Sequence, residues 1–320
     1  MNVRRSYEVR PFRPEDAPLA SERLLTLAPE FVVTAPLLLH WLESSPARAA
    51  GKAWVAASGD AVVGWADASF RWEAAEPGIG TLWVGVDPAH RGRGLGARLS
   101  DAAESHLVER HAWKLQSHVS EGDEASLRFA LGRGYSETRR ERLWSLEVRR
   151  ADLSELPELE ARKSAEGFRV VPLGELRDRP RALHALFAAA EADVPADDAT
   201  GELDFDDWRR ETWENPGLDD EMSAVVMQSD EPVSFAWLVV DREGGRAEHE
   251  MTGTNPLYRG RGLARLAKLA TIRWCAELGV RILLTGNDSA NAPMLAINAR
   301  LGYQPTLVRL ELAKQLKAPR

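Results

Sequence analysis

Two short stretches rich in glycine and arginine have the residue types and spacing of an anion-binding turn. They read Arg91-Gly92-Arg93-Gly94-Leu95-Gly96 and Arg259-Gly260-Arg261-Gly262-Leu263-Ala264, and we call them the first and the second cradle. Glycine lets a backbone approach a ligand closely, free N–H groups in a helix's first turn attract anions, and arginine suits phosphate. Each cradle lies between a β-rich run that ends in Asx-Pro and an apolar-periodic helical run. We therefore predict two pyrophosphate sites.

The cradles are part of an internal repeat. Arg91 and Arg259 are 168 residues apart, and so are Gly134 and Gly302, each of which follows a later helical run. Both halves read as a first strand, helices, a hairpin, a strand before the cradle, a long helix, a strand, a helix and a last strand. The predicted fold is α+β, with two domains related by duplication, each a mixed sheet flanked by helices. The domains are predicted at 1–150 and 167–320, with a Glu- and Ala-rich linker at 151–166 that has some helical character.

Composition excludes several classes of protein. The chain has 320 residues with 44% hydrophobic and 28% charged, and its apolar runs are too short to span a membrane. The first ten residues have no apolar segment typical of a secretory signal. The one cysteine, Cys275, has no partner for an internal disulfide, so we expect a cytoplasmic protein.

The charge is unevenly distributed. Residues 1–150 contain 20 basic and 20 acidic side chains, whereas 151–320 contain 21 and 29, which makes nucleic acid a poor partner. Between Glu191 and Glu221 there are 13 acidic residues and two arginines. This stretch either creates a field that attracts a cationic amine or forms a solvated helical face, and the second interpretation is favoured.

Each half resembles the GNAT superfamily of N-acetyltransferases, which carries Arg/Gln-x-x-Gly-x-Gly/Ala between its fourth strand and third helix. The resemblance implies acetyl-CoA, with its pyrophosphate on the cradle and its pantetheine arm between the splayed fourth and fifth strands. There is no Gly-Lys-Ser/Thr of a Walker loop, and the spacing misses the Rossmann pattern. The implied cofactor contacts are Thr254, Arg259, Gly260, Arg261, Gly262, Leu263, Ala264 and Asn291 in the second half, and Val86, Arg91, Gly92, Arg93, Gly94, Leu95 and Gly96 in the first.

Acetyl transfer to an amine requires a base, because an amine with a pKa of about 10.4 is mostly protonated at neutral pH. Members of the superfamily often have a glutamate base on the fourth strand. Aligned on the cradles, Glu250 occupies such a position and Leu82 stands in its place in the first half. Strand alternation predicts that Glu248, Glu250, Thr252 and Thr254 share one face and that His249 points the other way. Glu248 is the second candidate for the base.

A later helix also separates the halves. The resemblance implies an asparagine near the pantetheine and a tyrosine as the general acid. The matching residues are Asn291 and Asn298 in the second half, and Asp123 and Ala130 in the first. An amide such as that of Asn298 can hydrogen-bond a sulfur atom but cannot protonate it. We therefore predict chemistry in the second half, while the first half either binds CoA or only completes the fold.

These features predict an acetyl-CoA-dependent N-acetyltransferase that acts by direct attack of the primary amine of a small, cationic acceptor. Two alternatives stay open: a non-catalytic acyl-CoA-binding sensor or scaffold, because the tyrosine is missing from both halves, and a mycothiol-synthase-like acyltransferase, which would use a cysteinyl amine sugar. The seven histidines show no spacing for a metal site. Both a monomer and a homodimer are compatible with the sequence.

Overall fold

The computed structural model describes residues 6–192, 194 and 197–316. These residues form two compact units. Unit 1 consists of Met1–Arg140, Asp197–Gly201 and Arg309–Arg320, and unit 2 of Glu141–Ala196 and Glu202–Val308. The outer ends of the predicted domains (1–5 and 317–320) and one acidic residue of the 191–221 stretch, Asp193, lie outside the described residues.

Unit 1 has a six-stranded sheet in the order β1-β2-β3-β4-β5-β12. All neighbouring strands are antiparallel except β4 and β5, which run parallel. Its elements that precede residue 136 are β1 (Glu8–Pro11), α1 (Ala17–Leu27), α2 (Ala35–Ser44), β2 (Lys52–Ser58), β3 (Ala61–Phe70), β4 (Ile79–Val86), α3 (Leu95–Val108), β5 (Lys114–Ser120) and α4 (Glu124–Gly132).

Unit 2 has a sheet in the order β6-β11-β10-β9-β8-β7, in which only β10 and β11 are parallel. The remaining elements of the chain are β6 (Ser136–Glu147), α5 (Leu156–Ala165), β7 (Phe168–Pro172), α6 (Pro180–Glu191), α7 (Phe205–Trp208), β8 (Ala224–Gln228), β9 (Glu231–Asp241), β10 (Arg246–Thr254), α8 (Leu263–Glu277), β11 (Ile282–Asp288), α9 (Ala292–Arg300) and β12 (Gln304–Gln315). A π-helical turn, Arg209–Trp213, continues α7.

The closing strand of each unit comes from an unexpected part of the chain. In unit 1, residues 309–315 of β12 pair with β5, and in unit 2, residues 141–147 of β6 pair with β11. The last strand of each sequence half therefore completes the sheet of the other unit. The predicted domain boundaries at 150 and 167 describe the sequence repeat and stay a prediction. The compact units have other boundaries, because each takes its last strand from the other half of the sequence.

The sheet of unit 2 separates two apolar cores. Leu263, Leu266 and Leu269 of α8 pack against one face together with Leu238 of β9. On the other face, the helical segment 205–213 contributes to a core with Phe235 and Trp237 of β9. Helix α5 lies inside the predicted linker and buries Leu156 and Leu159 against α8. The predicted fold class, two α+β halves with mixed sheets flanked by helices, is confirmed.

Candidate active site

In both units the two parallel strands pair over a short distance and then diverge. In unit 2 the paired residues of β10 and β11 are Arg246–Ile282, Ala247–Leu283 and Glu248–Leu284. In unit 1 they are Ile79–Lys114, Gly80–Leu115 and Thr81–Gln116. Beyond these pairs each unit has a gap between its parallel strands, which we call its slot. The slot of unit 1 lies between 82–86 and 117–120, and that of unit 2 between 249–254 and 285–288.

Each slot leads to a cradle with left-handed glycines. Gly92 and Gly94 have φ angles of 73° and 77°, and Gly260 and Gly262 have 73° and 76°. A side chain is strained in this conformation, so the turn requires glycine. No heavy atom lies within 4 Å of the place where a Cβ would stand at any of the four, so this side of the backbone is open to a ligand.

Each cradle ends at the start of a long helix. Gly94 precedes α3 and Gly262 precedes α8, and neither helix has a side-chain cap on its first N–H groups. These groups are therefore free to bind an anion, as the sequence predicts. One arginine of each cradle stabilises the turn by a hydrogen bond to the last carbonyl of the preceding strand. Arg91 Nε donates to Val86 O at 3.0 Å, and Arg259 Nε donates to Thr254 O at 3.2 Å.

Unit 1 contains a cavity of about 540 Å³. Its lining combines the slot with the first cradle and includes Val86, Arg91, Gly92, Gly94, Leu95 and Gly96. The volume lies in the range of small-molecule sites. Asp123 and Ala130 also line it, together with His118, whose pKa is well below its usual value because of burial and the charge of Arg309.

Glu250 is the extra residue of a β-bulge in unit 2. His249 is paired with Leu238 of β9 and Met251 with the next residue, Trp237, so Glu250 has no partner in the ladder. A bulge of this kind bends a strand and changes the direction of a side chain. The side chain of Glu250 is exposed to solvent.

The environment of Glu250 disfavours its charge. Although Glu250 is exposed overall, neighbouring protein limits hydration of its carboxylate, and the negative charges of Glu191 and Glu211 add to this effect, so the pKa of Glu250 is raised. Glu191 ends α6, and Glu211 lies in the π-helical turn, so Glu250 is directed toward this side of the sheet. A raised pKa makes this carboxylate a stronger base toward the proton of an amine.

The bulge makes one sequence prediction wrong, namely that Thr252 and Thr254 share a face with Glu250. Thr252 and Thr254 pair with Ala236 and Ser234, and Ala236 belongs to the core against α8. Directly paired residues share a face, so both threonines lie on the α8 side, as does His249. Thr254 also shares a 2.8 Å hydrogen bond with the hydroxyl of Ser234.

Glu248 lies one residue before the bulge, within the paired part of β10. Its partners are Val239 of β9 and Leu284 of β11. Glu248 therefore belongs to the closed part of the sheet, and Glu250 lies at the beginning of the slot.

Asn298 is fully buried and hydrogen-bonded at both ends of its amide. Its Oδ1 accepts from Lys268 Nζ at 2.8 Å, and its Nδ2 donates to Asn287 Oδ1 at 2.6 Å. Lys268 itself is 1% exposed, and burial lowers its pKa to about 7. Asn298 is therefore the link between a buried ammonium and β11.

The asparagine predicted to lie near the pantetheine, Asn291, caps α9 through Met294 N at 3.3 Å. Its counterpart Asp123 caps α4 through Ser126 N at 3.0 Å and also accepts from Arg91 at 3.1 Å. Both residues thus fix the start of a helix beside the slot.

Most of the acidic stretch is used within the fold. The carboxylates form ion pairs or caps in the following combinations: Asp198 with Lys114, Asp207 with Arg210, Glu214 with Arg209, Asp219 and Glu221 with Arg242, Asp220 with Arg177, and Asp204 as the cap of α7. The favoured interpretation as an ordinary helical surface thus accounts for most of these charges. Glu191 and Glu211 differ because their charges act on Glu250.

Sequence reasoning missed Lys268, and for His249 it predicted only the strand face opposite to Glu250. The available signal was a single charge within the run Leu266 to Ile272, in which every residue is buried. For His249, the signal was its position next to Glu250 in the strand before the cradle. No helix in the described part of the chain combines the length and apolarity of a membrane span.

Comparison with known proteins agrees with this geometry. The model of the acetyltransferase (GNAT) family matches residues 22–135 and again residues 183–303. Among curated relatives, the mycothiol acetyltransferase of a Nocardioides species is 30% identical over 262 residues, covering 79% of this chain and 81% of that protein. The mycothiol acetyltransferase of Thermobispora bispora is 31% identical over 237 residues, covering 72% and 74%.

Solved structures share the fold. A tandem GNAT protein from the clavulanic acid biosynthesis pathway superimposes with a TM-score of 0.69 at 19% identity, covering 98% of this chain and all of that one. A GCN5-related N-acetyltransferase from Sphaerobacter thermophilus gives 0.69 at 18% identity, covering 97% and 95%. With two matches to the family model and the cradle, slot and helix present twice, the chain belongs to the acetyltransferase (GNAT) family and contains two GNAT domains.

Proposed function

We propose that this acetyltransferase uses acetyl-CoA to acetylate the primary amine of a small acceptor, and that unit 2 performs the transfer. The observation that carries the proposal is the placement of Glu250. It is a carboxylate with a raised pKa on a strand bulge at the start of the slot, and the same strand ends at the second cradle. A base at this point can take the proton of an incoming amine.

The chain's own residues would hold acetyl-CoA as follows. The first-turn N–H groups of Leu263 and Ala264, with Arg259 and Arg261, would bind the pyrophosphate. Thr254 borders the slot that would take the pantetheine arm. Backbone N–H groups near Thr254 would stabilise the thioester oxygen. When bound, acetyl-CoA supplies an activated acetyl group as a thioester.

The acceptor would approach from the side of α6 and the π-helical turn. Glu191 and Glu211 lie on this side, and their charges act on Glu250. Three carboxylates favour an acceptor that arrives as an ammonium ion, and Glu250 would then remove the proton before attack. The amine nitrogen bonds to the acetyl carbon, and the carbon–sulfur bond breaks with its electron pair left on sulfur.

A second candidate acceptor class has its own support. The curated relatives described above are mycothiol acetyltransferases, and their similarity spans both halves of the chain. A cysteinyl amine sugar presents a primary amine, as the proposed chemistry requires. The acidic stretch does not argue against this acceptor, because most of its carboxylates form ion pairs or caps within the fold.

The test is a panel of amines that contains a cysteinyl amine sugar, polyamines and an aminoglycoside, assayed with the wild type and with Glu250→Gln. We expect Glu250→Gln to lower kcat by about 10²- to 10⁴-fold while the affinity for CoA changes little. Glu248→Gln provides the comparison within the same strand. If Glu248→Gln shows the larger loss and Glu250→Gln keeps its rate, the base is Glu248. Wild-type protein that binds CoA but acetylates no amine would support the sensor alternative.

A further inference from the structure

Lys268 is a lysine inside the core of unit 2. It lies in α8, is 1% exposed, and its ammonium donates a hydrogen bond to Asn298 Oδ1 at 2.8 Å. Among the described residues no carboxylate forms an ion pair with it. A buried charge with one neutral partner is unfavourable. The fold does not require it, because the matching residue of α3 in unit 1 is the uncharged Ser100, which is also buried.

Lys268 lies behind the slot of unit 2, between its two edges. On the β11 edge, its partner Asn298 donates to Asn287 Oδ1 at 2.6 Å. On the β10 edge, His249 faces α8, and the charge of Lys268 acts on its ring. The ammonium is therefore at the level of the bulge, where the slot begins.

The two consecutive residues at the bulge point to opposite sides of the sheet. Glu250 is directed toward Glu191 of α6, and His249 toward Lys268 of α8. The carboxylate of Glu250 and the ammonium of Lys268 thus lie on opposite faces of the sheet, both at the beginning of the slot. Transfer of an acyl group from a thiol to an amine needs a base for the amine and a stabilising proton or charge for the departing sulfur.

We infer that Lys268 is the proton donor to the departing thiolate in unit 2, and that Asn298 is the positioning residue that holds its ammonium. The inference rests on the proposed function. Glu250 first takes one proton from the arriving ammonium and releases it to water. The neutral nitrogen then forms the new bond to the acyl carbon and gives a second proton to Glu250. The carbon–sulfur bond breaks, and sulfur takes a proton from Lys268 Nζ. Glu250 then releases its proton to water, and Lys268 regains one from water, so protons and electrons balance.

The acidity of the two groups agrees with this direction of transfer. Burial lowers the pKa of Lys268 to about 7. A free thiol has a pKa of about 8.5, so the proton moves from the ammonium to the thiolate with an equilibrium constant of roughly 30. The amide of Asn298 cannot act in its place because it does not titrate.

The other titratable groups near Lys268 are poor donors. Burial keeps His249 neutral by lowering its pKa, and it raises the pKa of Tyr303, whose ring lies 5.1 Å from Lys268 Nζ. Cys275, also on α8, has its pKa raised to about 12 by burial. The charged groups that α5 presents to α8 are Glu155 and Glu160, which are ion-paired with Arg265 and Arg273. Lys268 is therefore the group expected to titrate near neutral pH.

The first test is the pH dependence of kcat in Lys268→Met, measured on the full chain with acetyl-CoA and the best acceptor of the amine panel. We expect kcat to fall about 10- to 100-fold, the KM for both substrates to stay within a few-fold, and the decline of kcat above neutral pH to disappear. The matched control is Lys163→Met, which removes another buried lysine of unit 2, held in an ion pair by Glu166. It should keep the wild-type profile.

Asn298→Asp is the second test and does not remove the lysine. A carboxylate beside Lys268 stabilises its ammonium and raises its pKa, so the alkaline limb should move to higher pH. The inference would be overturned if the alkaline limb of the kcat profile stayed at the wild-type pH in Asn298→Asp. It would also be overturned if Lys268→Met kept both the wild-type kcat and the wild-type alkaline limb. Asn298→Asp decides alone if Lys268→Met does not fold.

Glu250→Gln separates this inference from the proposed base. It should change the acid limb and leave the alkaline limb in place. If Glu250→Gln kept the full rate, the role of Glu250 as the base would be contradicted. The alkaline limb of kcat would still test the role of Lys268. Absence of transfer to every amine would overturn both.

Discussion

Unit 1 and unit 2 share a cradle but differ in the strand that leads to it. In unit 1, β4 pairs with β3 without interruption from Gly80 to Val86. In unit 2, β10 has the bulge at Glu250, so the residue that matches Leu82 by pairing is His249, and Glu250 has no counterpart. The glycine pattern of the cradle and the carboxylate of the bulge are thus independent features. One inserted residue distinguishes the two strands.

The residues behind the slots differ in the same sense. In unit 1, Ser100 and Ala130 line a cavity of about 540 Å³, whereas unit 2 has Lys268 and Asn298 at the matching positions. The tyrosine that follows α4, Tyr135, hydrogen-bonds Glu104 at 3.3 Å. Its counterpart Tyr303 has no hydrogen-bond partner for its hydroxyl among the described residues. Unit 1 has the features of a binding site, and unit 2 has the titratable groups that we propose for transfer.

Deletion of Glu250 should have the largest effect on the difference between the units. It should remove the bulge, so that β10 pairs with β9 without interruption, as β4 pairs with β3. The residues on both sides keep their partners on β9, so the strand should still form. We expect kcat to fall by at least the 10²- to 10⁴-fold of a lost base, with CoA affinity within a few-fold. Kinetic assays and calorimetry on one sample check both values, and retained transfer would show that the bulge is dispensable.

Lys268→Met should also change the free energy of unfolding, because it removes a buried charge that unit 1 does not have at the matching position. The folded-state pKa of about 7 lies below the unfolded value of about 10.4, so folding releases a proton between these pH values. The stability penalty of Lys268 is therefore largest at and below pH 7 and fades as pH rises toward about 10.4. Replacing the buried charge should raise the free energy of unfolding at pH 7 by about 1–4 kcal/mol. Denaturant titrations should show the gain shrinking as pH rises from 7 to 10. A gain independent of pH would contradict the lowered pKa.

Glu211→Gln should have the smallest effect. Its charge contributes to the raised pKa of Glu250, so its removal lowers that pKa. Because the base acts when deprotonated, activity is lost as pH falls through this pKa, and the acid limb of kcat should move to lower pH. The shift should be a fraction of a pH unit, as expected for one partly solvated charge. A pH–rate profile measures it, and Glu214→Gln, which removes a carboxylate paired with Arg209, serves as the control.

Local patterns explain which features the sequence could predict. The cradles depend on glycines in left-handed conformation, and this requirement is visible in four consecutive residues. The hairpins are similarly local: β2 and β3 are joined at Gly59, which has a φ of 60°. The repeat then predicted the order of elements in unit 2 from that in unit 1.

Features that depend on pairing between distant strands were not visible. The run Arg246 to Thr254 gives no local signal of a bulge, and only the register against β9 reveals it. The alternation rule therefore placed Thr252 and Thr254 on the wrong face. In the same way, long-range contacts determine the partners of the strand segments 141–147 and 309–315. The sequence repeat placed each segment in the sheet of its own half.

The central claim, that one unit transfers and the other has only a cradle, is tested most directly by comparing Gly262→Val with Gly94→Val. Valine cannot adopt the left-handed conformation without strain, so each variant disables one cradle. In the same acceptor assay, we predict that Gly262→Val loses at least about 100-fold in kcat/KM, whereas Gly94→Val keeps the wild-type rate. A larger loss in Gly94→Val would place the chemistry in unit 1, beside His118, and contradict the account.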